Sequence, residues 1–437
     1  MIYWSHLALG CLILVSCTKA AEEENIKELG KLLHKAFSFP TKIDSVQSIR
    51  IGEYSVFVWP EKLVSRYEIN QLRILSCTRN KTYSHEIGFP HNFERYRLQE
   101  TNGQLILLTI WNKRNEYALI DVFALEPFSA QTESAIAIKP NRSFKIDLVR
   151  YFHREPGGKR GFNVIDAMVT TGNYENLMLV AEYEKSYYNP FEFFLGGGHQ
   201  DTAMKICIVE YTNNTQQIKY SSEKDRNSYH LQLPAKMDGN DNIYFVIRQE
   251  DSKGNESEYI LRTSKGAEWD NFHLPYHLDK RKNFQSLDLV FIDNHAFYLW
   301  EERLMTGKET GRIYLDGYYS TKFNTAWIDP IAIVSQKEGY LIRHVNDSKV
   351  LLGWLDVDGI HLQIRNGQEI LFSYVKKLIF KPDYRLLWRA EIDNEGKDID
   401  LLWAEIPPPQ ESDYWNLIGN AYYERIEINT ITMRPAN

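Results

Sequence analysis

The sequence predicts an all-β fold, a β-propeller of six or seven blades preceded by a short N-terminal helix. Three observations carry this. Apolar, strand-like runs recur along the chain with starts roughly 35 to 75 residues apart, most of them about 50, the period of a propeller blade. No long helical pattern interrupts them, which argues against parallel strands joined by crossover helices. Aromatic residues make up 13% of the chain, including 27 Tyr and 21 Phe, and such side chains pack well on a pleated surface. At 437 residues the chain also exceeds the usual size of one compact core unless small sheets are repeated.

Residues 284–330 give the plainest unit: strand-like runs at 287–292, 296–300 and 312–320, parted by an Asp-Asn-His turn and a Gly-containing turn, and closed by Trp327 and Pro330. The same plan recurs. Strongly apolar strands are expected at 54–59, 104–111, 177–182, 243–248, 296–300, 350–354 and 385–388. Partner strands follow at 117–123, 204–211, 259–263, 312–320, 360–365 and 399–404. The count falls to six if the runs at Val350 and Arg385 share one expanded blade. The alternating stretch 423–433 lies outside the last unit and is expected to pair with an early strand, removing exposed sheet edges. Residues 183–203 form the outlier, a connection full of aromatic side chains ending in Gly196, Gly197 and Gly198. Its length suits either a mobile lid or a loop packed on the blade.

Three parts are expected in order: a leader at 1–17, a tether and helix at 18–47, and the propeller at 48–437. In the second part Ile26, Leu29, Leu32, Leu33 and Ala36 fall at helical spacing, predicting an amphipathic helix over 23–37. The leader has an apolar run at 7–15, too short to span a bilayer. Its end, Leu14-Val15-Ser16-Cys17, resembles the lipobox of bacterial lipoproteins. That resemblance implies acylation of Cys17 and a lipid anchor in the outer membrane or at the cell surface of a bacterial envelope. The leader departs from the pattern in having no Lys or Arg before the apolar run. Cleavage after Ala20, giving a secreted protein, is the alternative.

The net charge of −7 comes without a basic stripe, so nucleic acid is not an expected partner. Beyond the leader only Cys77 and Cys207 remain, too few for a disulfide scaffold; two buried thiols are expected, with a single bridge between them as the alternative. His34, His199 and His344 lack partners at ligand spacing. The stretch Asp238-Gly-Asn-Asp241 reads as a hairpin turn rather than a calcium loop. No metal and no cofactor is therefore expected.

Two stretches resemble the Asp-box repeat of sialidase-type propellers, S-x-D-x-G-x-x-W. Residues 262–269 (RTSKGAEW) keep its Gly266 and Trp269, and residues 320–327 (STKFNTAW) keep its Ser320 and Trp327. The resemblance covers roughly residues 230 to 335 and implies the blade fold more than an activity. An active relative would need an arginine clamp, a Tyr–Glu pair and an acidic proton donor. The Arg-Ile-Pro motif of that family is missing. Arg248, Arg343 and Arg389 fall at strand ends, where they can face a central channel, and with Trp300 and Glu301 they are the candidate ligand-binding residues. Asp166, Glu182 and Tyr187 are the candidate catalytic residues if the chain is an exo-acting glycoside hydrolase. The primary expectation is a membrane-anchored propeller that binds a glycan or an envelope protein at one face. A component of an envelope assembly that only docks to its neighbours is a third reading.

Overall fold

The computed structural model describes residues 36–428 apart from 40–45, 66–67, 114–115, 126–135, 148–159, 171–173, 188–200, 213–214, 223–225, 238–241, 255, 264–269, 274–281, 293–294, 305–308, 320–321, 325–330, 333–339, 347–348, 357, 367–368, 380–383 and 409–416. Its described residues form seven antiparallel sheets of four or five strands, one of which also carries a short parallel pair. The architecture is all-β and propeller-like.

The first sheet holds Gln47–Ile51, Tyr54–Ser65, Glu68–Cys77 and Thr82–Phe93. The second holds Arg95–Thr101, Gln104–Lys113, Tyr117–Leu125 and Arg142–Ile146. The third holds Arg160–Val169, Leu177–Tyr187, Asp201–Thr212 and Thr215–Ser221. The fourth is built on Ser228–Leu231, Ile243–Glu250, Glu256–Thr263 and Asp270–His273. Lys282–Ile292, His295–Leu304, Glu309–Tyr319 and Lys322–Asn324 make the fifth. Tyr340–Asn346, Lys349–Asp356, Gly359–Asn366 and Glu369–Lys377 make the sixth. The seventh runs Arg385–Ile392, Asp398–Ile406, Leu417–Glu427 and then Ala36–Phe39 from the other end of the chain. Each sheet touches the next, and the seventh touches the first.

The reason is visible in the strands. In the first and second sheets the second strand is apolar on both faces: Val56, Phe57, Val58 and Trp59, and Leu105 through Leu108, are essentially unexposed. A strand covered on both sides needs no alternation. The apolar clusters lie in the seams between consecutive sheets. One joins the second and third sheets around Ile106, Phe144, Val164 and Leu179. Another joins the sixth and seventh around Leu351, Leu362, Trp388 and Leu401. The first sheet meets the seventh through Phe57, Trp59, Leu387 and Tyr423. Burying one such large side chain contributes about 1.5–3 kcal/mol. The outer strand Glu369–Lys377 alternates over much of its length instead, because one side faces water.

Two glycines are required by geometry. Asn102 and Gly103 turn the hairpin between the first two strands of the second sheet with φ of 53° and 75°, the left-handed pair a two-residue turn demands. At Gly353 a Cβ would lie 2.6 Å from the Trp388 ring, so the absent side chain admits that indole across the seam.

The N-terminal strand closes the seventh sheet, with Ala36 opposite Asn420 and Phe39 opposite Leu417. The expectation that 423–433 lies outside the last unit and pairs with an early strand is corrected: residues 423–427 pair with 398–402 inside the seventh sheet, and the early strand is met by residues 417–420 of the same strand, ahead of the alternating stretch. The strands containing Val350 and Arg385 belong to different sheets. The run at 385–388 is the first strand of its sheet, not the second. The expected helix at 23–37 lies outside the described residues except for Ala36 and Phe37, which are in a strand. The leader with Cys17, most of both Asp-box-like stretches, and the turn at 238–241 also lie outside them. Among the described residues no helix is long and apolar enough to cross a membrane. Cys77 and Cys207 are buried thiols not joined by a disulfide, as expected, and burial pushes the Cys77 thiol up to about 12.

Candidate functional site

The first strands of six sheets, with residues 235 and 236 in the fourth, carry polar groups that link each sheet to the next in an unbroken circuit. Gln47 of the first sheet donates to the Tyr96 carbonyl of the second at 2.7 Å and accepts from the Leu98 N–H at 2.8 Å. Arg97 then meets Asp166 of the third sheet at 2.6 Å. Asp166 Oδ2 accepts the Ala235 N–H of the fourth sheet at 2.7 Å, and Arg97 donates to the Ala235 carbonyl. Lys236 Nζ lies 3.6 Å from Asp288 Oδ1 of the fifth. Asp288 Oδ2 accepts from Arg343 Nη1 and from the Ile342 N–H of the sixth, both at 3.3 Å. Arg343 Nε donates to Glu391 of the seventh at 2.9 Å. Ser48 of the first sheet donates to that same Glu391 oxygen at 2.6 Å, completing the circle.

The electrostatics follow from the pairing. Burial lowers the Lys236 ammonium below its usual value, with the Asp288 charge pulling against it. Burial alone would raise Asp288, but the Lys236 and Arg343 charges outweigh it and hold the carboxyl below its ordinary range. Burial opposes the Arg343 charge, and Glu391 and Asp288 overcome it. These groups pair with one another across the seams. They act as struts between sheets, where removing one partner would strand the other.

A second set gathers where the second strands of the second, third and fourth sheets end. Glu182, on Leu177–Tyr187, has Oε1 3.9 Å from His230 Nδ1 across the seam to the fourth sheet. Burial pushes its carboxyl above the usual range, against the pull of His230, the Leu231 N–H and Arg95. Arg248 stands opposite His230 in the strand register and pairs with Glu256 at 3.5 Å. Glu94, whose carboxyl burial also raises, accepts from Asn112 at 3.0 Å. Nearby, the fully buried Lys205 lies 5.4 Å from the Tyr187 ring centroid and 5.1 Å from that of Tyr229, and donates to the Asn227 carbonyl. Arg226 also lies over Tyr187, at 5.8 Å. The long connection is shorter than expected. Strand pairing persists to Tyr187 opposite Asp201, so only residues 188–200 intervene.

The sequence candidates therefore divide. Glu182 and Arg248 come together around His230, which the sequence reading had not singled out. Tyr187 lies farther along the strand of Glu182. Asp166 and Arg343 belong to the axial circuit. Arg389 donates to its neighbour's carbonyl, Trp388 O, at 2.8 Å, so the three arginines occupy three separate settings. Trp300 and Glu301 lie on His295–Leu304, opposite Ser286 and Gln285. The members of the circuit that were missed, Gln47, Ser48, Arg97, Lys236, Asp288 and Glu391, leave one faint trace. Asp288 is a lone carboxylate inside the apolar run LDLVFI, as Asp166 is inside VIDAMV. A charge in such a strand needs a partner waiting for it.

No model of a known protein family matches the chain, and no curated protein matches it. Solved structures with a similar plan include a Dyadobacter fermentans protein of unknown function, at 11% identity and a TM-score of 0.38, covering 91% of this chain and 99% of that one. The β-propeller domain of the Trilobed protease from Pyrococcus furiosus is similar at 12% identity and 0.39, over 90% of this chain and 97% of that one. Trypanosoma rangeli sialidase is similar at 10% identity and 0.38, over 90% of this chain but only 58% of its own. These are likenesses of architecture, and no statement about chemistry rests on them.

Proposed function

We propose that the chain is a seven-bladed propeller, held in a bacterial envelope by a lipid on Cys17, that binds a glycan or an envelope protein at one face. The observation that carries this is the division of polar groups. Those along the axis are consumed in pairing sheet to sheet. Glu94, Arg95, Glu182, His230 and Arg248 gather instead toward one end, and the connection that follows Tyr187 in sequence, YNPFEFFLGGGHQ, is rich in aromatic residues of the kind that stack on sugars. Trp300, Glu301 and Arg389 extend the same recognition face in this reading.

One observation favours a second reading, an exo-acting glycoside hydrolase. A carboxyl that holds its proton toward neutral pH is what a general acid needs, and Glu182 is raised in that direction. Asp166 and Tyr187 would then be its companions, though Asp166 is engaged by Arg97 and the Ala235 N–H. A glycan array run beside a panel of fluorogenic glycosides separates the two. Binding without turnover supports the binder. Turnover abolished by Glu182→Gln supports the hydrolase and overturns the first reading.

A further inference from the structure

The hairpin joining Lys349–Asp356 to Gly359–Asn366 brings Asp356, Asp358 and His361 together, each offering a ligand atom within 4.8 Å of the others. We propose that these three residues form a site for a divalent first-row transition ion such as Zn²⁺ or Mn²⁺.

The turn itself does not require the histidine. Asp356 Oδ1 accepts the Asp358 N–H at 2.8 Å, and the turn at Asp251 makes the same bond, to Lys253, with no histidine following. This bond uses one carboxylate oxygen and aims the other, Oδ2, at His361. His361 Nε2 lies 2.7 Å from that oxygen, so the imidazole and the carboxylate already face each other across the turn. The imidazole is also held in place, stacked on Trp354 with centroids 5.0 Å apart and planes 12° apart. Gly359 fixes the turn from behind, because a Cβ there would lie 1.9 Å from the Lys376 carbonyl oxygen. One imidazole nitrogen and two carboxylates are a donor set for zinc or manganese rather than for soft thiophilic ions. Three protein ligands leave further positions for water or for a ligand's oxygen.

The strand order places this turn at the same end of its sheet as the connection 188–200 has in the third, so the ion would lie on the proposed recognition face. The site does not depend on that reading, and its test reads metal alone. The untagged full chain, stripped with a chelator, is titrated calorimetrically with Zn²⁺ and with Mn²⁺, beside Asp358→Asn and His361→Gln. The expected result is one saturable site, weakened at least tenfold in each variant, while the metal-free variants melt with the parent. No saturable uptake of either ion by the parent, or variants that bind as tightly as the parent, overturns the proposal.

Discussion

Asp166 and Asp288 occupy the same place in two different sheets. Each follows a β-bulge in the first strand of its sheet, after Val164 in one and after Ser286 in the other. Each accepts its own following N–H, from Ala167 at 2.9 Å and from Leu289 at 2.8 Å. With the other oxygen each takes an N–H of the next sheet, Ala235 or Ile342. The bulge turns a carboxylate out of the strand's own ladder and across to the neighbouring sheet.

Asp288→Asn should therefore cost stability out of proportion to its size. Lys236 and Arg343 would lose their shared anion, and losing such half-buried, charge-assisted bonds costs about 1.5–3 kcal/mol. The pH dependence has a definite sign. The folded carboxyl lies below its unfolded value, so its contribution is present above the unfolded value, near 4 for aspartate, and is lost as pH falls through the folded one. Urea melts should show a large gap between parent and variant at pH 7 that narrows toward pH 3. A constant gap would contradict the role given to Asp288.

Closure of the seventh sheet is testable by cross-linking. Ser38 stands opposite Ile418 in the register. Ser38→Cys with Ile418→Cys should form a disulfide on mild oxidation, read by intact mass, whereas Phe37→Cys with Ile418→Cys should not. The seam beneath is locked by Asp400, which accepts from Ser55 at 2.5 Å, Tyr423 at 2.6 Å and Arg425 at 2.7 Å.

Gly353 and Trp388 should behave as a coupled pair. Gly353→Ala drives a methyl into the indole and should cost about 1–3 kcal/mol by overpacking. Trp388→Phe removes the atoms that collide, so the double variant should lose less stability than the two single losses added, by thermal or chemical melts.

Much of this architecture was legible. The apolar second strands announce themselves, because a strand covered on both faces is a continuous apolar run, as Leu105 to Leu108 shows. Glu182 and Arg248 were also visible as charges at strand ends. The axial circuit was not. Its bonds join residues as far apart as Ser48 and Glu391, and a Gln or Ser in a first strand carries no local mark of the sheet it will meet. His230 was hidden for the same reason, since its partner lies across a seam rather than along the chain. The extent of the long connection was misread because Tyr183 to Tyr187 looks like loop when counted as aromatic side chains, yet pairs as strand with Asp201 to Lys205.

Glu182 gives a pH signature opposite to that of Asp288. Its folded carboxyl is raised by burial, so the folded protein favours the proton and gains stability as pH falls toward the raised value. Glu182→Gln should be neutral or slightly stabilising at pH 7, by about 1 kcal/mol, and should flatten the stability profile between pH 7 and pH 4. Denaturant titrations across that range check it.

The recognition face itself is tested by one comparison on glycan and envelope-protein arrays. Arg95→Ala and His230→Ala alter the seam of the second, third and fourth sheets, whereas Lys397→Ala changes an exposed turn at the opposite end of the seventh sheet. The expected result is saturable binding by the parent, at least tenfold weaker in both seam variants and unchanged in Lys397→Ala. Equal binding by all four proteins would contradict it.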